Sequence, residues 1–568
     1  MEKRRAKKVN YRRFLKNKKM QIAKTKKRTK EDEIRSKRES KFAKMTKEEL
    51  LRYMFSRRKL PWLSKEILEA NPLLDLFLVV KRTNVPHYFP KAVIKQAKSI
   101  PQEVREEDLE GRIDLRDKLI FTIDGEDAKD FDDAVSLEIE DNYYVLGVHI
   151  ADVSHYVKPG TALDEEAYKR GNSTYLIDVV FPMLPFELSN NICSLNPNVD
   201  RLTLSVKIWI NKNTLEPEKF EIFPSVIRSK YRLTYTYVEK VLDNPSIEKD
   251  KDLAENLIKM WELAWKLHEK RIEKGGIDFN FKESKIILDE RGNPVEFIVY
   301  NRLKSERLIE EFMLMANKVV ARFLSEKGPT IFRVHEKPDI ESIENIIKVV
   351  SLLGYFLPNP DKVKSSDLQK IICNISQKEY EEFINYVILR SMKQARYDTN
   401  NVGHYGLDFE YYTHFTSPIR RYPDLIVHRL VKLALQNKEK RPKSLTLKKL
   451  KQIAKHCSET ERRSVDAERL IVKLKGIRYI KNYPYKIFDA IVSGFKEDGM
   501  FVQLVDTAIE GFVSIQDITD SVGEVHYDEN IMALVDRTGE IKFSIGQSVK
   551  VGFKSYDLIK GFLDFYLV

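Results

Sequence analysis

The chain has 568 residues and is 42% hydrophobic, with 29 Phe and 26 Tyr; that is too much apolar chain for one ordinary core and calls for two to four folded units. Its net charge of +13 is confined to one end: residues 1–30 carry 15 Lys/Arg against one Glu, so taking away their +14 leaves −1 for the other 538 residues. Cys193, Cys373 and Cys457 have no CxxC spacing, which excludes a zinc knuckle and a disulfide framework and suits a reducing, cytoplasmic compartment.

Residues 1–45 are almost all polar, with basic runs such as Lys24-Thr25-Lys26-Lys27-Arg28, and cannot bury a core. They read as a basic, disordered tail: either a solvated one, or an arm for an anionic partner such as RNA, whose phosphates release counterions on contact. No apolar segment follows this charge, so it does not read as a secretion signal. Residues 46–100 read as a region of short helices. Thr46 followed by Glu49 resembles a capping box, and Pro61, Pro72, Pro86, Pro90 and Pro101 punctuate the stretch. Its most apolar part, residues 73–80, is far shorter than a membrane span, so no membrane partner is expected.

From residue 119 the texture is mixed α and β. Residues 119–123, 134–139 and 143–150 read as strands, with a turn at Asp141-Asn142. Residues 250–275, 304–326, 421–436 and 446–480 carry helical apolar spacing. After Pro484, residues 487–492, 500–504, 511–515, 548–555 and 561–567 are short strand candidates bent at Gly494, Gly499, Gly511 and Gly546. Five strands of that length suggest a small OB-type barrel.

Two constellations carry chemistry. Asp124, Glu126, Asp127, Asp130, Asp132 and Asp133 fall within ten residues between apolar strands. Such flanks pin the loop to a core, where like charges are costly unless a cation neutralises them. Oxygen ligands without His or Cys favour Mg²⁺ or Mn²⁺ over zinc; a solvated acidic loop is the alternative. A calcium EF-hand needs Gly at its sixth position and Glu at its twelfth, and Lys129 and Val135 stand there if Asp124 is first. No GxxxxGK[ST] loop is present, which sets aside a P-loop nucleotidase. Carboxylate-bound Mg²⁺ points to phosphoryl transfer or phosphodiester hydrolysis. In the second constellation, Thr416-Ser-Pro-Ile-Arg-Arg-Tyr-Pro-Asp424, either Arg420 or Arg421 could fork onto a phosphate. Tyr405, Tyr412 and Phe415 nearby could stack bases. The alternative is an Arg421–Asp424 pair with the aromatics in the core.

Together these segments resemble the catalytic domain of the ribonuclease II / ribonuclease R (RNB) family, nearest its ribonuclease R members. Thr122-Ile-Asp-Gly-Glu-Asp-Ala-Lys-Asp-Phe-Asp-Asp133 matches almost letter for letter. So, in order, do Ile150-Ala-Asp-Val-Ser-His-Tyr156, Pro182-Met-Leu-Pro185, Leu188-Ser189, Cys193-Ser-Leu-Asn-Pro197, His335-Glu-Lys-Pro-Asp339 and the Thr416 segment. The resemblance spans residues 101–480 and continues through residues 484–568 as an S1-like OB-fold RNA-binding domain.

What the resemblance implies is an α+β multidomain chain, an RNB-type mixed α/β catalytic domain followed by a C-terminal five-stranded OB-fold β-barrel. It implies a Mg²⁺-dependent 3′-to-5′ exoribonuclease that releases nucleoside 5′-monophosphates from single-stranded RNA, as a monomer. At matching positions Asp124, Asp130, Asp132 and Asp133 would hold one or two Mg²⁺, with Mn²⁺ a substitute and Asp132 the most sensitive to loss. Arg420 would stabilise the phosphate being cleaved. Tyr175 would clamp the 3′-terminal nucleotide, with Phe279 as stacking partner and Glu310 and Glu468 near the terminal sugar. Phe495, Phe501, Phe512 and His526 would form the OB stacking face, although residues 485–568 hold 14 acids against 7 Lys/Arg, which opposes RNA. One or two cold-shock OB domains would precede the catalytic domain. Residues 1–100 show no such strand pattern, and the basic tail is expected to replace those domains electrostatically, toward structured RNA or the ribosome. A catalytically idle RNA-binding protein and a metal-dependent phosphodiesterase on DNA or small nucleotides are the competing readings; the intact aspartates and Arg420 favour the exoribonuclease.

Overall fold

A computed structural model describes residues 41–279, 283–376, 378, 380–436, 441–529, 531 and 533–568. The expected tail lies outside the described residues as far as residue 40, but its last part is corrected. Phe42 is 1% exposed. Its ring meets Tyr53 and Phe77 edge-on at 5.1 and 5.7 Å, and Asn71 Nδ2 donates to the carbonyls of Phe42 and Met45. One aromatic ring outweighs the charge around it, so residues 41–45 belong to the folded body.

Helix α1 (Lys47–Ser56) starts at a capping box: Thr46 Oγ1 accepts from Glu49 N–H, and Glu49 accepts from Thr46 N–H. Helices α2 (Leu74–Thr83) and α3 (Lys91–Ser99) follow. The catalytic region is built on a seven-stranded sheet. Its strands are β1 (Ile113–Asp114), β2 (Phe121–Asp124), β3 (Asp133–Glu140), β4 (Tyr143–Ala151), β5 (Asp200–Asn211), β6 (Pro217–Arg228) and β7 (Tyr231–Thr234). They lie in the order β1-β6-β5-β4-β3-β2-β7, antiparallel except where β1 joins β6 and β7 joins β2. Alternation does not mark β5, whose residues 201–206 are buried without a break, so the period-two signal is lost there.

Helices α4 (Ala162–Arg170), α5 (Tyr235–Asp243), α6 (Lys251–Lys274), α7 (Lys304–Ser325), α8 (Tyr422–Leu435) and α9 (Leu447–Ile480) surround the sheet. α6 shows why they form. Asp250 caps its first turn, Gly275 ends it at φ 118°, and Leu253, Leu257, Met260, Leu263 and Leu267 recur on one buried face. That face shares a core with Val148 and Ile150 of β4, Phe312 of α7 and Leu425 of α8. α9 belongs to two cores. Its Ile453 and Cys457 enter this one, while Ala467, Ile471 and Leu474 enter a second that also holds Phe42, Phe77 and the barrel interior.

The barrel strands are β8 (Ile487–Lys496), β9 (Gly499–Leu504), β10 (Glu510–Ser514), β11 (Ser548–Asp557) and β12 (Phe562–Leu567). They close in the order β8-β9-β10-β12-β11, as the spacing anticipates. A helix, Ile515–Val522, and a small sheet spanning residues 525–544 are inserted between β10 and β11. Among the described residues no helix is long and apolar enough to cross a membrane.

Candidate active site

The acidic loop leaves the sheet at the end of β2 and returns at the start of β3. Three fastenings fix it. Phe131 N–H donates to Ser194 Oγ at 3.0 Å, Ser194 Oγ donates to the Lys129 carbonyl at 2.8 Å, and Leu195 N–H donates to the Phe131 carbonyl at 3.0 Å. On the other side Arg232 Nη2 donates to the carbonyls of Gly125 and Glu126. The result sorts the six acids. Glu126 and Asp127 face solvent, Asp124 and Asp130 are half-buried, and Asp132 and Asp133 are buried at 2% and 9% exposure.

The second motif meets this loop from α8. Asp424 accepts from Ser417 N–H and from Arg421 Nη2, both at 2.8 Å, which shapes the turn at 416–421. That turn delivers Ile419 N–H to Asp132 Oδ1 at 2.7 Å and Arg420 Nε to within 3.3 Å of Asp132 Oδ2. Residue chemistry alone left Arg420 and Arg421 equivalent, and the resemblance named Arg420; here Arg421 pairs with Asp424, and Arg420 faces Asp132. Phe415 and Tyr412 are core residues at 0% and 6% exposure. Tyr405 is half-buried and packs edge-on against His335. Of the two readings left open for these rings, burial favours the core for Phe415 and Tyr412.

Burial holds the carboxyls of Asp124 and Asp132 well above the usual range, and the neighbouring Asp133 charge adds to it at Asp124. Asp133 is pushed up to about 6 by burial, with Arg420 and Arg421 pulling the other way. Asp124 Oδ2 and Asp132 Oδ2 are buried without a hydrogen bond; the second has only the Arg420 ion pair. A buried carboxylate oxygen left so suits a cation. Among the described residues no three His, Cys, Asp or Glu side chains group as a ready ligand cage. The four aspartates that the resemblance implies as metal ligands are thus not gathered into one such group, and Asp130 is engaged by the Tyr175 hydroxyl.

Tyr175 lies on a short strand, Thr174–Leu176, and its hydroxyl donates to Asp130 Oδ2 at 3.0 Å. The strand is strapped to the arginine turn: Ser173 N–H donates to the Arg420 carbonyl and Tyr422 N–H to the Gly171 carbonyl, each at 2.9 Å. Gly171 sits at φ 75°, and a Cβ there would collide with Thr460 of α9. Glu468 on α9 is held above the usual carboxyl range by burial, with the backbone amide of Tyr175 pulling the other way. Phe279 and Glu468 both line a cavity of about 1120 Å³ that Arg390, Lys393, Arg469 and Lys473 make basic.

Other expected residues lie elsewhere. Glu310 pairs with Arg302 at 3.0 Å and is joined to none of the four aspartates by an ion pair or hydrogen bond among the described residues. The OB aromatics divide. Phe501 and Phe512 are neighbours at 5.2 Å and line a groove of about 420 Å³ with Lys473, Lys496 and Phe562, though Asp498, Glu510 and Asp564 share it. Phe495 packs on Tyr527, and His526 stands on the inserted sheet, so neither joins that face. The inserted sheet, absent from the five-strand pattern, is the reason. Conversely, Arg232 and Tyr235 belong to the site although no motif marks them. Parallel pairing sets Thr234 of β7 opposite Asp124. That places Tyr235 where burial and then the charges of Asp133 and Asp124 push its hydroxyl up.

Residues 112–437 match the RNB domain. "Ribonuclease R" of Thermotoga maritima is 44% identical over 510 residues, covering 88% of this chain and 71% of that protein. "Ribonuclease R" of Aquifex aeolicus is 40% identical over 523 residues, covering 90% and 74%. The solved structure of Mycoplasma genitalium RNase R in complex with ribose methylated single-stranded RNA superimposes with a TM-score of 0.83 at 28% identity, over 88% of this chain and 78% of that one.

Proposed function

The chain belongs to the RNB family, to which ribonuclease R belongs, and from that membership and the aspartate–arginine pocket we propose a divalent-metal-dependent enzyme that hydrolyses single-stranded RNA from its 3′ end and releases nucleoside 5′-monophosphates. That it is an exoribonuclease follows from the family; the metal and the products are our reading. The single observation behind that reading is the pair of buried oxygens, Asp124 Oδ2 and Asp132 Oδ2, left without hydrogen-bond donors beside Arg420.

Asp124 and Asp132, with Asp133 alongside, would hold Mg²⁺, which when bound activates water and neutralises the phosphate. Arg420 supplies the protein's own positive charge. Its Nη2 donates to Ser417 Oγ and its Nε faces Asp132, so the guanidinium is oriented before substrate arrives, and the side chain, 43% exposed, keeps donors open for a phosphate. Tyr175, tied to Asp130 by its hydroxyl and to the arginine turn by its strand, offers a ring for the terminal base at a fixed distance from the acids. Phe279 and Glu468 line the approach, whose basic rim accepts the backbone of a single strand.

The test uses 5′-labelled RNA and DNA oligomers of one sequence, with Mg²⁺ and with EDTA. Shortening of RNA alone, abolished by EDTA and by Asp132→Asn with RNA binding retained, is the expected result. Cleavage by Asp132→Asn at the parent rate would refute the site.

A further inference from the structure

Residues 85–99 form a surface that the catalytic pocket does not use. α3 buries Val93 and Ala97 and leaves Lys91, Lys95 and Lys98 exposed. Spaced four and three apart, the three lysines share one helix face. With Ser56, Tyr88, Phe89 and Ile94 they line a cavity of about 670 Å³. None of the three ammonium groups has a carboxylate partner among the described residues.

A second rim carries the same sign. Arg57, Arg58 and Lys59, just after α1, are exposed. The Arg57 carbonyl lies 3.0 Å from His87 Nε2, which ties this turn to the segment bearing Tyr88 and Phe89. The groove wall is tied to the body by Arg170. Arg170, 2% exposed, donates to the carbonyls of Pro86 and Tyr88 at 2.9 and 2.8 Å and lies 3.6 Å from the centre of the Phe89 ring. The residues after it, 171–173, carry the strap to Arg420. Groove and catalytic turn therefore hang on one short run of chain.

An open cavity with lysines on one wall and aromatic rings beside them matches the needs of a single-stranded nucleic acid: phosphates on the ammonium groups, a base against a ring. We propose that this groove is a second RNA-anchoring site, which grips the strand on the 5′ side of the end being cleaved. It rests on the RNA-degrading reading above, because the same strand must reach the aspartates.

The experiment compares the full chain with its Lys91→Gln/Lys95→Gln/Lys98→Gln variant, in EDTA, by fluorescence anisotropy on a short RNA and one several times longer. The lysines are exposed and unpaired, so folding is not at stake. The variant is expected to bind the longer RNA about tenfold more weakly and to lower the slope of log affinity against log salt by about 2, three phosphates at roughly 0.7 each. A Lys→Arg triple variant is expected to keep both values, and 4-thiouridine RNA to crosslink within residues 85–99 of the parent. A Gln variant with the parent's affinity and slope for the longer RNA would overturn the groove. If the parent degrades RNA with Mg²⁺ while that happens, the groove alone falls; a parent that with Mg²⁺ neither binds nor shortens either RNA removes the RNA-degrading reading along with it.

Discussion

The backbone N–H of Ile419 donates to Oδ1 of Asp132 at 2.7 Å, joining two motifs that lie 287 positions apart. With Oδ1 so occupied, Oδ2 is left facing Arg420 Nε at 3.3 Å. Acid and arginine are thus presented together, and a phosphate approaching one meets the other. The motifs are separate in the chain because one ends a β-strand and the other opens a helix, yet one backbone bond sets their geometry.

A second long-range contact holds the N-terminal helices to the body. Asp75 of α2, 1% exposed, accepts from Lys475 Nζ and Arg478 Nε of α9, each at 2.8 Å. Asp75→Ala would strand two buried cations, and the expected loss is about 3–5 kcal/mol of stability, read as a lowered urea midpoint. A midpoint equal to the parent's would contradict that role.

Buried histidines make stability depend on pH. Burial brings His149 down to about 3, where it sits between Ser136 and Ser205. An unfolded histidine titrates near 6.5, so below that pH the unfolded chain binds a proton the folded chain refuses. The stability of the neutral folded ring is therefore complete above about 6.5 and is lost as pH falls toward 3. The buried aspartates of the pocket act in the opposite sense, so the comparison is with His149→Gln. Between pH 7 and pH 5 the parent is expected to lose about 2 kcal/mol more than the variant. Parallel pH curves would be the contrary result.

The basic tail is testable with a boundary chosen from Phe42. Removing residues 1–40, which spares that core ring, is expected to leave the melting temperature unchanged, to weaken RNA binding and to flatten its salt dependence. Unchanged affinity and slope would show the tail to be a solvated appendage.

Much of this was legible in the sequence, for identifiable reasons. Helices α6 to α9 and the five barrel strands keep strong periods. The aspartates and the Thr416 segment are dense in a chemistry that few other sequences need. What escaped depends on chain folding rather than local pattern. Tyr235 reaches the acids only because β7 pairs in parallel with β2. Phe42 is hidden by the charge around it, and the sheet inserted before β11 draws Phe495 and His526 away from the Phe501–Phe512 face.

The most direct measurement is a crystal of the chain soaked in Mn²⁺ and recorded for anomalous scattering, with Asp132→Asn treated identically. A peak against the Asp124 and Asp132 carboxylates in the parent, lost or displaced in the variant, is expected. Ordered, empty carboxylates in the parent at saturating Mn²⁺ would contradict the claim that this pocket works through a divalent cation.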